Sequence, residues 1–416
     1  MAKQKKRIHV AKSSWFWGVC LSLLLMIGNF FIENVRYPFF DDIELFAWYG
    51  HLTGHDEKKD IAWDDVVCVN VGLDKTMVNV IDVMGDKAGT ICITDRGKLL
   101  QFLGIIANTD YKEIFLDVRF PQMAEGLASS ECMLETDSET DRKLFSLISK
   151  MRNIVVATHS DISSLHPELT PKYGYADYGA TVFTGFGRYE LRQDGAPSAA
   201  LKMYEDITGK DIAESGYFTN SGRLCHNTLF LRIPTSILYP THYDDGAEVV
   251  NYRTLGADLL ERNTAAELRE IVKGRIVIIG DFEEDLHTTY VGEVPGSMLT
   301  YLALKELEAG MHVVSWFELT VFIFFALLIC IRLKMQKCWY EYLPEIRLKG
   351  KAVNVLKHHN IVAFILSFFG WGVVMTAIKL AAWTAFGHSL PTLLPTILFT
   401  LIDEYKRYNN LTLQTT

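Results

Sequence analysis

Apolar positions are distributed along this chain in two different ways. Four stretches are apolar on every side: residues 14–32, 313–331, 361–386 and the shorter 389–402. The first three are long enough to cross a hydrocarbon core of about 30 Å as helices. The fourth crosses only with tilt or local thinning. Pro391 and Pro395 disturb its first turns, and a re-entrant or interfacial segment is the alternative. Elsewhere the apolar runs are short. VVCVNV (66–71), EIFLDV (113–118), NIVVATH (153–159) and RIVIIGD (275–281) are β-branched and nearly continuous. That is the pattern of parallel strands covered on both faces.

Between the short runs the period changes to that of a helix. Residues 95–108 place Leu99, Leu100, Leu103 and Ile106 on one side, with Asp95 as N-cap. Residues 138–151 do the same with Leu144, Phe145, Leu147 and Ile148, and 295–310 open with Pro and close with Gly. The alternation predicts an α/β domain, with a largely parallel or mixed sheet carrying helices on both faces, over residues 33–312. Residues 161–250 are less regular, with DYGATVF and TLFLRI as candidate antiparallel strands.

Composition agrees with this division. The chain is 416 residues long, 49% hydrophobic, with a mean hydropathy of +0.12. That is apolar for a soluble protein and polar for one wholly in the membrane. The formal charge of −9 is unevenly spread: the acids are concentrated in the central domain. Residues 1–12 carry Lys3, Lys5, Lys6, Arg7 and Lys12 with no acid, and 332–360 carry seven bases against Glu341 and Glu345. An acidic domain repels phosphates, which disfavours nucleic acid as a partner. Basic flanks mark the cytoplasmic side. The expected order is a cytoplasmic N-terminus (1–12), a signal anchor (13–32) with a cleaved signal peptide as the alternative, and an exported domain (33–312). A crossing (313–331), a cytoplasmic loop (332–360), two further crossings (361–386, 389–402) and a short tail (403–416) follow. This places a multi-pass protein in the inner membrane with its large domain facing the periplasm.

Candidate chemistry is sparse. Asp74, Asp117, His159 and Asp281 each fall at or just beyond a predicted strand end, where ligands of parallel α/β sheets gather. Convergence there could hold a cation or a polar ligand; the plainer reading is helix caps and solvated loop groups. The loop 281–289 adds Glu283, Glu284, Asp285 and His287, without a recognised metal spacing. Glu318 and Lys379 lie at similar depth in two crossings, as a helix-to-helix ion pair or as side chains that snorkel to the interface. Of the exported cysteines, Cys132 and Cys225 are disulfide candidates because both lie in polar loops, while Cys68 reads as a core thiol. No Walker loop, nucleophile elbow, C-x-x-C or dinucleotide fingerprint occurs, so no catalytic residue, metal or cofactor is expected.

The order of several motifs resembles the type-2 CHASE domain, an extracytoplasmic sensory module associated with cyclases and histidine kinases. VVCVNVGLDKTM resembles its opening strand and Asp-x-Ser/Thr stretch, here Asp74-Lys75-Thr76. Arg96 stands where the family has an Arg-led helix, and YKEIFLDVRF is similar to its strand ending in Asp and Phe, here Asp117 and Phe120. Asp194 and Gly195 match its Asp-Gly turn, and residues 273–312 match its closing strand, loop and helix, with Gly280, Asp285, Pro295 and Gly296. The resemblance covers 33–315 and implies a sensor followed by membrane helices. The family's Trp- and Pro-containing stretch before the Arg is absent, and 403–416 stand where members continue into an output enzyme. The expectation is a ligand-binding sensor, not an enzyme, that signals to a separate protein, with a homodimer compatible. The rival is an assembly subunit of an envelope complex whose exported domain is a permanent binding platform.

Overall fold

The computed structural model describes residues 2–34, 61–120, 133–158, 166–177, 179–181, 185–193, 195–214, 217–244, 247–335, 360–386, 390 and 392–415. The chain divides into two compact units, Arg36–Val313 and the combination of Met1–Val35 with Val314–Thr416.

The central unit is built on a six-stranded sheet of β1 (Val66–Asn70), β4 (Glu113–Leu116), β6 (Ile154–Thr158), β7 (Tyr173–Tyr175), β15 (Tyr252–Thr254) and β16 (Ile276–Gly280). Its order is β15-β1-β16-β4-β6-β7, and every neighbouring pair is parallel. Side chains alternate across the sheet, so each strand supplies two cores. Val67, Val69, Ile114, Leu116, Val156, Val277 and Ile279 face one side, against α2 (Arg96–Ile106), α3 (Ser138–Lys150), a π-helix (Leu255–Leu260) and α5 (Ala265–Val272). Val66, Cys68, Phe115, Val155, Ile276 and Ile278 face the other, against α4 (Ala199–Thr208) and α6 (Gly296–Glu308). The near-continuous apolar runs thus reflect burial on both faces, as the sequence predicts.

Four smaller strand assemblies complete the unit. β2 (Lys75–Ile81), β3 (Lys87–Thr94) and β5 (Met133–Glu135) form an antiparallel sheet. β8 (Gly179–Thr181), β9 (Gly185–Glu190), β12 (Thr228–Phe230), β17 (Leu286–Thr289) and β18 (Gly292–Pro295) form a second, mixed one. Two short pairs, β10 (Arg192–Gln193) with β11 (Ala196–Pro197) and β13 (Thr241–Asp244) with β14 (Ala247–Val250), complete the strands.

The other unit consists of α1 (Ala2–Glu33), α7 (Trp316–Lys334), α8 (Asn360–Phe386) and α9 (Leu393–Thr415). Ser13–Ile32, Trp316–Lys334 and Ile361–Ala382 are long and apolar enough to cross a membrane, so the chain is membrane-associated. The sequence reading differs from the structure at two boundaries. The second crossing starts at Trp316 instead of residue 313, because Val313 pairs with Cys225 in the central unit. The last helix does not stop at Ile402 but continues through the charged residues to Thr415.

α1 and α7 pack antiparallel through small residues. Ser14, Gly18 and Ser22 recur every fourth residue and are buried. Ser22 Oγ donates to the Phe322 carbonyl at 2.8 Å. A Cβ on Gly18 would lie 3.0 Å from the Ala326 carbonyl oxygen and 3.3 Å from Cys330 Cβ. Small residues at this spacing let membrane helices approach closely, where dispersion and hydrogen bonds replace the hydrophobic drive. Gly18→Leu is expected to destabilise the bundle by about 1–3 kcal/mol through overpacking. The thermal midpoint of the detergent-solubilised protein reports it, and an unchanged midpoint would discount the contact.

Candidate functional site

Asp74 and Asp281 lie at the carboxyl edge of the parallel sheet, and what they do there is set by two lysines. After β1 the chain turns, with the Asp74 amide donating to the Val71 carbonyl at 3.0 Å. Asp74 is buried, and each carboxylate oxygen has a partner: Lys98 Nζ donates to Oδ1 at 2.6 Å and the Gly256 amide to Oδ2 at 2.8 Å. The carboxylate therefore joins the start of α2 to the start of the π-helix, and its own carbonyl accepts from the Asp95 amide at 2.8 Å. Asp95 in turn caps α2, accepting from the Lys98 amide at 3.0 Å, as the sequence predicts. The Asp74 hydrogen bond is the main reason the Lys98 ammonium is held above its usual range.

Lys75 repeats the arrangement one residue later. It ion-pairs with Asp281 at 2.8 Å and also donates to Glu284. Asp281 Oδ1 accepts the Glu283 and Glu284 amides, both at 2.9 Å. Burial opposes its charge, but these bonds and Lys75 prevail and hold the carboxyl below the ordinary range. Asn70, buried at the end of β1, completes the loop-to-loop network. Its Oδ1 accepts from the Gly72 amide at 2.8 Å and the Phe282 amide at 3.2 Å, and its Nδ2 donates to Glu283 Oε1 at 3.1 Å. The acids at Asp74 and Asp281 thus hold their own lysines and backbone amides. Charge-assisted bonds of this kind pin loops.

Two glycines are required by the closeness of the network. A Cβ on Gly72 would lie 2.5 Å from Asp281 Oδ1, and one on Gly256 would lie 2.4 Å from Asp74 Oδ1 and 2.7 Å from Lys98 Nζ. Gly256→Ala is expected to force the half-exposed Lys98 away from buried Asp74 and to cost about 1–3 kcal/mol. Denaturant unfolding checks this; a midpoint matching wild type would mean that the pair relaxes freely.

The remaining sequence candidates are placed differently. Asp117 is half-buried just past β4, its amide donating to the Ile279 carbonyl at 2.7 Å. Its carboxylate is near enough to the buried Tyr189 phenol to add to the effect of burial, which pushes that group up to about 12. Asp285 stands at the N-terminus of α6. Its carbonyl accepts from the Gly296 amide at 2.9 Å, and its Oδ1 lies 3.3 Å from His287 Nε2. Ser297, next on α6, is buried, and its Oγ has no hydrogen-bond partner among the described residues. His159 lies outside the described residues. Among the described residues no three His, Cys, Asp or Glu side chains come together as a metal-ligand set.

Cys68 is a core thiol in β1, donating to Met298 Sδ at 3.5 Å, and burial raises its pKa strongly. Cys225 is buried, and its candidate partner Cys132 lies outside the described residues. Glu318 closes a capping box at the start of α7, accepting the Ser315 amide and hydroxyl, both at 2.6 Å. Lys379 is buried within α8; its pairing with Glu318 stays an expectation.

Sequence reasoning placed Arg332 in the cytoplasmic loop and Asp403 in the tail; both are instead helical and buried in the bundle. Arg332 ion-pairs with Asp403. Ser367 Oγ and Trp371 Nε1 of α8 donate to Asp403 Oδ2 at 2.6 and 2.9 Å. Lys406 Nζ donates to the Arg332 and Met335 carbonyls at the end of α7. Compared with protein-family models, with curated proteins and with solved structures, the chain has no significant match.

Proposed function

We propose that this chain is a membrane-anchored extracytoplasmic sensor. In this reading a change in its α/β unit passes through the membrane helices to a separate partner protein. The observation that carries the reading is the packing of α1 on α7. These helices precede and follow the α/β unit in the chain, and they touch through Ser22 with Phe322 and Gly18 with Ala326 and Cys330. Any change in the spacing of the unit's entry and exit bears on two helices already in contact. A ligand that favours one arrangement of that pair over another is what signalling requires.

Charge supports the orientation. Lys334 Nζ lies 5.9 Å from the Trp15 ring centroid, so the basic ends of α1 and α7 share one side of the bundle. Lys406 joins them through its bonds to the end of α7. A common basic side favours cytoplasmic placement there, in the inner membrane, with residues 33–312 in the periplasm and α9 as a fourth crossing. The CHASE-type resemblance leads to the same sensor reading from the motif order.

One observation favours the platform reading. The β2–β3 hairpin and β5 expose Met77, Val83, Met84 and Met133, and exposed apolar side chains in a group fit a lasting protein contact. Two measurements separate the readings. Thiol labelling of single-cysteine variants in intact cells should reach the central domain from outside and neither terminus; accessible termini would overturn both. Mild-detergent purification of the full chain should then bring down a cyclase, kinase or regulator. A stoichiometric envelope component instead would favour the platform.

A further inference from the structure

The amino-terminal edge of the sheet, opposite the strand-end acids, holds a cleft of about 150 Å³. It is lined by Trp63, Asp64, Val250, Asn251, Arg253 and Arg275, with β1 contributing Val66 to Cys68. Arg253 is carried by the edge strand β15, in register with Val69, and Arg275 immediately precedes β16. The parallel pairing of β15, β1 and β16 therefore brings two arginines 22 positions apart in the sequence to one concavity. Both are half-buried. Neither guanidinium has an ion pair or hydrogen bond among the described residues.

That sets them apart from the other buried or half-buried cations of the same unit. Arg96 pairs with Asp141 at 2.5 Å, Arg192 with Glu205 at 3.4 Å, Lys112 with Glu308 at 2.9 Å, and Arg232 with Glu306. In a domain with acids in excess, an unpaired pair of half-buried guanidinium groups is an electrostatic vacancy. A guanidinium fork matches the oxygens of a carboxylate or phosphate group, and two forks from different strands can grip one such group from two directions. Trp63 adds an aromatic wall, fixed by an edge contact with Tyr252 at 6.0 Å between centroids. The volume suits a molecule of a few non-hydrogen atoms.

We infer that the Arg253–Arg275 cleft is a binding site for a small oxyanion, a carboxylate or phosphate compound. This names a ligand class for the sensor reading and rests on that reading only for its consequence. Binding is measured without any signal from the membrane helices, so failure of one leaves the other standing. Trp63 belongs to the turn that leads directly into β1, so an occupant held against it contacts the start of a central strand of the sheet.

The test is phenylglyoxal modification of the full-length protein in detergent, read by peptide mass spectrometry, with inorganic phosphate or succinate as protecting probe. Arg253 and Arg275 should react faster than the ion-paired Arg96 and Arg232, and a saturating probe should slow both by about tenfold or more. Protection by phosphate alone, succinate alone or both assigns the group recognised. Arg253→Gln and Arg275→Gln should each weaken probe affinity by about tenfold or more, with lysine at either position recovering part of it. The thermal midpoint without probe controls for folding. If a variant fails to fold, protection of the wild-type arginines still decides. The inference is overturned if neither probe protects, if protection survives both glutamine variants, or if the two arginines are no more reactive than Arg96 and Arg232.

Discussion

Replacing Asp403 by leucine is expected to weaken the membrane bundle by about 3–5 kcal/mol, the usual cost of stranding one member of a buried ion pair. Arg332 is 2% exposed and Asp403 is fully buried. Ser367 and Trp371 also aim donors at the Asp403 carboxylate, so the substitution leaves three donors from two helices facing an apolar side chain. Asp403→Asn should cost less, since an amide oxygen still accepts, but the charge of Arg332 stays uncompensated. The double variant Arg332→Met with Asp403→Leu should recover most of the loss, because removing both charges also removes the desolvation penalty. Thermal midpoints of wild type, Asp403→Leu, Arg332→Met and the double variant in one detergent form a double-mutant cycle. Additive single effects would mean that the two charges do not act as a pair, and that α9 is held to α7 by packing and the Lys406 bonds.

That pair also shows where reading the chain reaches its limit. A charge at the end of an apolar run reads as solvated, and Arg332 and Asp403 both sit at such ends, 71 positions apart. Only the packing of α7, α8 and α9 turns the ends of two apolar runs into one buried contact. The sheet was accessible for the opposite reason. Burial on both faces leaves no polar positions in β1, β4, β6 and β16 beyond their ends, and a run such as IVIIG has few other uses. Caps were equally local: Asp95 bonds an amide three residues away. Some local signals went unread. The β2–β3 hairpin turns at Asp82, which accepts the Met84 and Asp86 amides, and at Gly85 with φ +85°; α4 runs from its Ser198 cap to Gly209 with φ +62°. The strand-end acids fall between these cases. Their position at the carboxyl edge follows from the strand pattern, but their partners do not. Asp74 meets Gly256 across 182 residues and Lys75 meets Glu284 across 209. Arg253 and Arg275 likewise become neighbours only through the order β15-β1-β16.

Glu113 should make the stability of the α/β unit fall as pH rises from about 5 to about 9. It opens β4, is fully buried, and neither carboxyl oxygen has a hydrogen-bond partner among the described residues. Burial first, and then the nearby Asp206 carboxylate, push its pKa up to about 9, while Lys172 and Lys202 pull the other way. Those two ammonium groups are engaged with backbone: Lys172 with the Met151 carbonyl at 2.7 Å, Lys202 with the Tyr173 carbonyl at 3.1 Å and with the Pro171 carbonyl. The raised folded pKa means the native state binds the proton more tightly than the unfolded chain. Its contribution is fully present below the unfolded value, near 4.3, and is lost as pH climbs through the folded value. Each unit between the two is worth about 1.4 kcal/mol, so a loss on the order of several kcal/mol accumulates by pH 9. Glu113→Gln removes the titration. The variant should match wild type near pH 5 and exceed it progressively toward pH 9, by a difference on the order of ten degrees in thermal midpoint for a unit of this size. A constant difference between the two proteins across that range would show that Glu113 is ionised in the fold at neutral pH. The two lysines would then be its true partners, and the amino edge of β4 a buried ion cluster and not a neutral acid.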